Sequence, residues 1–359
     1  MLGGIALAFV GDKKPNSLSA RPSIRVYKTF LLALMVFKLI DITIPCYNSD
    51  DTITEVLDSL YAQTFNDFHI YIINNASTDK TLIKIKSHPI FNKITLLEND
   101  RNIGFVRNVR KALSCGVRKY TALCSSNDVL YPRYLESLLS LHNEKSSLSY
   151  ALCDFYINDR FSKSALSSDY FDTQGLSRIN SCNMVMKKFT YSAPFWGLYK
   201  KDTITKMSPF SFNRGADHVY VAEAALYGEI RQYPTPLFKR NYPQNRTIDT
   251  FSLMENDQQL TPDDVGVKFG WHFFPYVSML RSHHNMLRRA FISNSEKEQL
   301  LKSSVLILAQ RYQRQIIQEL MRFIKLKDTP PKGLLERQYF CEVEAYMNFI
   351  KGFLSLEKR

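Results

Sequence analysis

The 359 residues carry no HExxH, no GxxxxGK[ST] phosphate loop, no GxGxxG and no GxSxG. Zinc peptidase, P-loop NTPase, dehydrogenase and serine hydrolase chemistry therefore lack their starting residues. The six cysteines (Cys46, Cys115, Cys124, Cys153, Cys182 and Cys341) form no CxxC pair and no dense framework. That excludes a disulfide-stapled scaffold and points to free thiols in a reducing compartment, the cytoplasm. Long apolar runs are missing too. The stretch Phe30 to Phe37 ends at Lys38, far short of the ~20 residues of a membrane helix, so no span is expected. The net charge of +13 is not concentrated anywhere: +5 falls in residues 1–40, +4 in 41–240 and +4 in 241–359. Without a basic stripe interleaved with stacking aromatics, nucleic-acid binding is not indicated. No internal repeat is present.

What remains is a globular composition, 45% hydrophobic and 23% charged, with enough chain for one sizeable α/β domain and an appended unit of roughly 100 residues. Residues 1–39 read as a disordered leader or a false start. Their charges follow the short apolar opening instead of preceding it, unlike a signal peptide, and Met35 would be a sensible initiator. From Ile40 onward, short β-rich runs alternate with amphipathic helices, as in a parallel α/β sheet. IDITIP (Ile40 to Pro45), HIYIIN (His69 to Asn74), KITLLE (Lys93 to Glu98) and KYTALC (Lys119 to Cys124) read as four strands. Helical spacing follows the first three, and the fourth runs into the loop SSND before a helix opened by Pro132. Ligands belong at the carboxyl ends of such strands. LSYALCDFYI reads as a further strand, 160–190 as irregular loops, 216–227 as a helix, and the chain beyond Pro262 as helical.

Four segments in this order carry a resemblance: ITIPCYN (Ile42 to Asn48), LDSLYAQTFNDFHIYIINNASTDKT (Leu57 to Thr81), NDRNIGFVRNVRKAL (Asn99 to Leu113) and SSNDVLYP (Ser125 to Pro132). They resemble glycosyltransferase family 2. GLYKKDTITKM (Gly197 to Met207) and GADHVYVAEAALYGEIRQYPTPLFKR (Gly215 to Arg240) are similar to the acceptor half of that family. The resemblance implies a GT-A fold, a Rossmann-like mixed sheet, over 40–240, followed by a helical extension over 241–359. It implies transfer of a sugar from a nucleoside-diphosphate donor to a hydroxyl on a glycan or lipid-linked acceptor, with inversion and a divalent cation (Mg2+ or Mn2+).

The resemblance also distributes roles. Pro45, Tyr47, Asn75, Arg107 and Asn127 would hold the nucleotide, Tyr47 stacking on the base and Asn127 bonding the ribose. Asp128 would hold the metal, Asp217 would be the base, and Trp196 and Gly197 would wall the acceptor side. Each has a plainer alternative: asparagines that satisfy turn backbone, aspartates that cap helices, a solvated arginine, a packed tryptophan. The chain also departs from the family. Asn74-Asn75 replace the usual Asp-Asp, and Ser125 and Asn127 replace acidic residues beside Asp128, which lowers the charge available to a cation. No histidine lies between Val219 and Trp271 to complete a metal site, and His272, His283 and His284 read as surface or packing residues. A helix-terminal position is expected to lower the pKa of Asp217. The stretch Gly270 to Phe291 mixes aromatic and basic residues, and either packs on the catalytic domain or lies on an anionic bilayer. A fold that has lost turnover and only binds carbohydrate or a partner is the alternative function.

Overall fold

The computed structural model describes residues 39–157, 160–164, 171–190, 192–211, 215–242, 274–327, 339–344 and 347–348; the leader and the segment 243–273 lie outside the described residues. Strand β1 (Ile40–Cys46) alternates strictly. Ile40, Ile42, Ile44 and Cys46 enter one hydrophobic cluster, while Asp41 and Thr43 point to the opposite face, as the two-residue period of a strand requires. Parallel pairing joins β1 to β2 (Phe68–Asn74) and to β4 (Tyr120–Leu123), and β2 to β3 (Ile94–Glu98). The crossovers are α1 (Ile53–Tyr61), α2 (Thr81–Ser87) and α3 (Phe105–Ser114). Because the strands are parallel, their carboxyl ends line one edge.

The second half makes the sheet mixed. β5 (Asp128–Leu130), α4 (Tyr134–Ser140), β6 (Ser146–Ile157), β7 (Arg160–Ser164), α5 (Arg178–Lys188), β8 (Leu198–Lys200), α6 (Lys201–Lys206), α7 (Ala216–Ala224) and β9 (Glu229–Tyr242) follow in turn. The strand order is β3-β2-β1-β4-β8-β6-β9-β5, with β7 on β6. β8 runs antiparallel to β4 and β6, β9 parallel to β6, and β5 antiparallel to β9. Two features differ from the sequence expectation. The span 160–190 holds β7 and α5, the helix being capped by Ser177, whose Oγ accepts from the Asn180 amide. The inward face of α5 includes Ser181 and Cys182 beside Val185 and Met186, so an apolar count misses its helical period. The last residue of SSND opens a short strand, β5, before α4.

Successive residues of β6 separate the two faces of the sheet: Ala151 and Cys153 join the cluster packed under α1 and α4, Tyr150 and Leu152 the cluster packed under α3, α5 and α7. The C-terminal helices α8 (Pro275–Arg289) and α9 (Asn294–Arg311) extend that second cluster through Met279, Met286, Leu287, Leu300 and Leu308. They share a core with the sheet instead of building their own. α8 buries Pro275, Val277, Met279, His283 and Leu287, so its apolar side meets protein. α10 (Gln313–Lys327) follows. Among the described residues no helix is long and apolar enough to cross a membrane, and all six cysteines are free.

Candidate active site

Three loops meet where the parallel strands end. The β1–α1 loop carries Tyr47, half-buried, just beyond the buried Pro45. Asn48 is left-handed (φ 45°); its amide donates to Ser77 Oγ (3.0 Å) and its Oδ1 accepts from the Thr78 amide (2.9 Å). This ties the first loop to the second. The SSND loop joins them through Ser49 Oγ and Ser126 Oγ, 2.9 Å apart, and through Thr52 Oγ1 donating to the Ser126 carbonyl at 2.8 Å. Ala76, beside Asn75, is left-handed at φ 60°, a conformation alanine adopts at a cost and that marks a position held by its surroundings.

Asn75 sits at the end of β2, 2% exposed. Its Oδ1 accepts from Asn99 Nδ2 (2.9 Å) and the Ile103 amide (2.9 Å), and its Nδ2 donates to Asn102 Oδ1 (2.7 Å). The asparagine in place of an aspartate thus supplies a donor that a carboxylate lacks, and that donor fastens the 99–104 loop over the strand tips. Arg107, on α3 behind this loop, donates from Nη1 to the Ile103 carbonyl at 3.3 Å. Asn127 is half-buried and bonded to Ser125 through its side chain.

Asp128 is the first residue of β5, and its register partner on β9 is Arg240. The pair is buried, each residue 4% exposed. Arg240 Nη2 donates to Asp128 Oδ2 at 2.7 Å and Nε reaches both carboxylate oxygens at 3.2 Å; Nη1 donates to Ser192 Oγ at 2.8 Å. A cross-strand neighbour, not a helix cap, therefore engages this carboxylate. A divalent cation wants several hard, preferably anionic oxygens. The loop offers one carboxylate, with both oxygens facing a guanidinium, and neutral Ser125, Ser126 and Asn127 around it. Among the described residues no three His, Cys, Asp or Glu side chains converge on a point that would hold an ion. These side chains alone do not make a protein-held divalent-cation site, and Asp128, the expected metal ligand, is paired with Arg240.

Asp217 lies in the first turn of α7, where Oδ1 accepts from the His218 amide at 2.9 Å. Its pKa is raised, not lowered: removal from water outweighs the backbone donors and the positive charge of Arg240. The helix terminus acts in the lowering direction and is outweighed by burial. The chain can start α7 here because Gly215 is left-handed (φ 73°) and sits where a Cβ would come within 2.7 Å of Met279 Sδ on α8. Arg240 is thus gripped by one candidate carboxylate and felt electrostatically by the other. Tyr134 lies within the same field, burial and then the nearby Cys124 and Asp128 raising its pKa; its hydroxyl donates to the Trp196 carbonyl at 2.5 Å.

Trp196 is half-buried and edge-on to Phe195, ring centres 5.0 Å apart. Gly197 is required by packing: a Cβ there would stand 2.5 Å from the Ser149 carbonyl and 2.8 Å from Leu148 Cδ1. A small cleft of about 120 Å3 opens between α7 and α8, walled by Tyr220, Glu223, Asn285 and Arg289; none of the expected site residues lines it. Arg240 was missed as a site residue. Nothing local in Leu237-Phe238-Lys239-Arg240 shows which strand lies opposite.

A family model described as glycosyl transferase family 2 matches residues 41–204. A Haemophilus influenzae protein described as an uncharacterized glycosyltransferase is 22% identical over 237 residues, 61% of this chain and 70% of that protein. The Escherichia coli protein YibD, also described as an uncharacterized glycosyltransferase, is 25% identical over 225 residues, 60% of this chain and 65% of its own length. A Rickettsia prowazekii glycosyltransferase, 31% identical over 110 residues, is matched over only 32% of its length. Among solved structures, Staphylococcus aureus TarS residues 1–349 in complex with UDP-GlcNAc superposes with a TM-score of 0.56 at 18% identity, covering 80% of this chain and 81% of that one.

Proposed function

We propose, from the premise that this chain is a glycosyltransferase belonging to family 2 with a GT-A fold, that it moves one sugar from a nucleoside diphosphate to an acceptor hydroxyl with inversion at the anomeric carbon. Asp217 is the base in this reading, Tyr47, Asn75 and Asn127 hold the nucleoside, and Trp196 flanks the acceptor. The acceptor is a glycan or a lipid-linked sugar of a surface polysaccharide, reached from the cytoplasm.

The observation that carries the reading is the reach of Arg240. It grips Asp128 on the loop after β4, and its charge acts on Asp217 at the start of α7. That the Arg240 charge tends to lower the pKa of Asp217 while pairing with Asp128 supports assigning both carboxylates, 89 positions apart in the chain, to one site. A raised pKa suits a base, because proton affinity grows with pKa as long as the group is still ionised at the working pH. The resemblance to a protein solved with UDP-GlcNAc supports a nucleotide-sugar donor.

The test is donor consumption. The full chain is incubated with UDP- and GDP-sugars in turn, with and without sugar acceptors, and released nucleoside diphosphate is measured. Asp217→Asn should lower turnover by about 100-fold or more while nucleotide binding persists. The reading fails if no donor is consumed and no nucleoside diphosphate raises the melting temperature.

A further inference from the structure

Departure of a nucleoside diphosphate accumulates negative charge at the strand tips. A loop that already carries an ionised carboxylate adds repulsion, which a bound cation normally cancels before it can serve the leaving group. Here that carboxylate is cancelled by the protein. Asp128 and Arg240 are register partners on adjacent strands, both 4% exposed, with contacts at 2.7 and 3.2 Å. The rest of the loop is neutral and rich in hydrogen-bonding groups: Ser125 and Ser126 hydroxyls and the Asn127 amide, all half-buried. A guanidinium is always charged and offers donors in a plane that matches phosphate oxygens.

We propose that this glycosyltransferase binds and expels its nucleoside diphosphate without a divalent cation, the Nη1 edge of Arg240 and the neutral Ser125-Ser126-Asn127 loop providing hydrogen bonds in place of the contacts a metal ion would otherwise supply. The inference rests on the donor reading above. The bond from the anomeric carbon to the diphosphate oxygen breaks with its electron pair staying on the diphosphate, the acceptor oxygen bonds to the same carbon, and its proton passes to Asp217. Arg240 meets the departing oxygens, and the edge now donating to Ser192 Oγ is the one that exchanges partners. Asp128 is a positioning residue: it fixes the plane of the guanidinium and keeps the charge of the loop at zero.

The experiment measures binding of UDP and of GDP to the full chain by calorimetry and thermal shift, once in excess EDTA and once in excess Mn2+. The expected result is that the nucleotide which binds does so with affinities within about threefold of each other in the two conditions. Asp128→Asn should bind at least as tightly in EDTA as the parent, Arg240→Met should lose the nucleotide shift, and Arg240→Lys should keep part of it. Binding that appears only with Mn2+, or a folded Asp128→Asn that no longer binds, overturns the proposal and leaves the donor reading standing. Binding of neither nucleotide in either condition overturns both. Should Arg240→Met fail to fold, the parent and Asp128→Asn decide the matter.

Discussion

At the scale of single residues, the site depends on side chains whose partners fix their chemistry. Asp217 sits in competition between burial, which favours the protonated acid, and the Arg240 charge, which favours the carboxylate. Burial wins, so the acid limb of the kcat profile should lie above the usual carboxylate range near 4; Arg240→Lys should move that limb, which a pH titration of turnover measures. Asn75→Asp makes a second test. The substitution turns the 2.7 Å bond from Nδ2 to Asn102 Oδ1 into two oxygens facing each other, leaving an acceptor unpaired in a buried network. A loss of about 1–3 kcal/mol is expected by urea unfolding, with nucleotide affinity falling as the 99–104 loop loosens. Gly215→Ala forces a Cβ toward Met279 Sδ at a left-handed position and should cost about 1–3 kcal/mol.

At the scale of elements, α5, α7, α8 and α9 are joined by a directional chain of hydrogen bonds. Arg311 on α9 donates to the Met186 carbonyl at 2.7 Å, to the Phe189 carbonyl and to His218 Nε2 at 3.4 Å. His218 Nδ1 faces His283 Nε2 at 2.8 Å, and His283 Nδ1 faces the Met279 carbonyl at 2.8 Å. A carbonyl only accepts, so Nδ1 of His283 carries the proton, its Nε2 accepts from His218, and both rings are neutral. Burial pushes His283 down to about 4 and His218 well below its usual range, with the neighbouring ring and the Arg311 charge adding to the shift at His218. The unfolded chain takes up protons below about pH 6.5 that the folded chain refuses. Stability is therefore full above that pH and lost on acidification toward the folded values, at up to about 1.4 kcal/mol per pH unit for each ring. Urea midpoints at pH 7 and pH 5 should show the decline, and His283→Gln should flatten it.

The same elements show what a sequence discloses. β1, β2 and α1 were legible because their apolar period is local, and the loops bearing Tyr47, Asn75 and Asn127 followed from strand ends. The Asp128–Arg240 pair was not, since it depends on the register of two strands 112 positions apart, which no local pattern encodes. His283 read as a packing or surface residue because a histidine on a helix gives no sign of the distant ring, His218, that it meets. The pKa of Asp217 was misjudged for a related reason: the helix terminus is visible in the sequence, whereas the burial that overrides it is created by distant chain.

At the scale of the whole molecule, the sheet separates two cores. One lies under α1 and α4 and supports the strand-tip loops, while the other lies under α3, α5 and α7 and continues into α8 and α9. A chain cut at residue 242 would expose the faces of α7 and α5 that α8 and α9 now cover, and each large apolar side chain returned to water costs roughly 1.5–3 kcal/mol. Such a fragment should aggregate or melt at a markedly lower temperature, whereas the full chain should unfold in one cooperative calorimetric transition.

The division into two cores bears on how an enzyme of this build would diversify. Repacking around Met279 or Leu300 would tilt the helix that bears Asp217 while the interlocked loops at residues 47–52, 75–79 and 125–128 stayed in place. Acceptor choice and turnover would then drift under substitutions far from any ligand, with affinity for the nucleotide inherited unchanged.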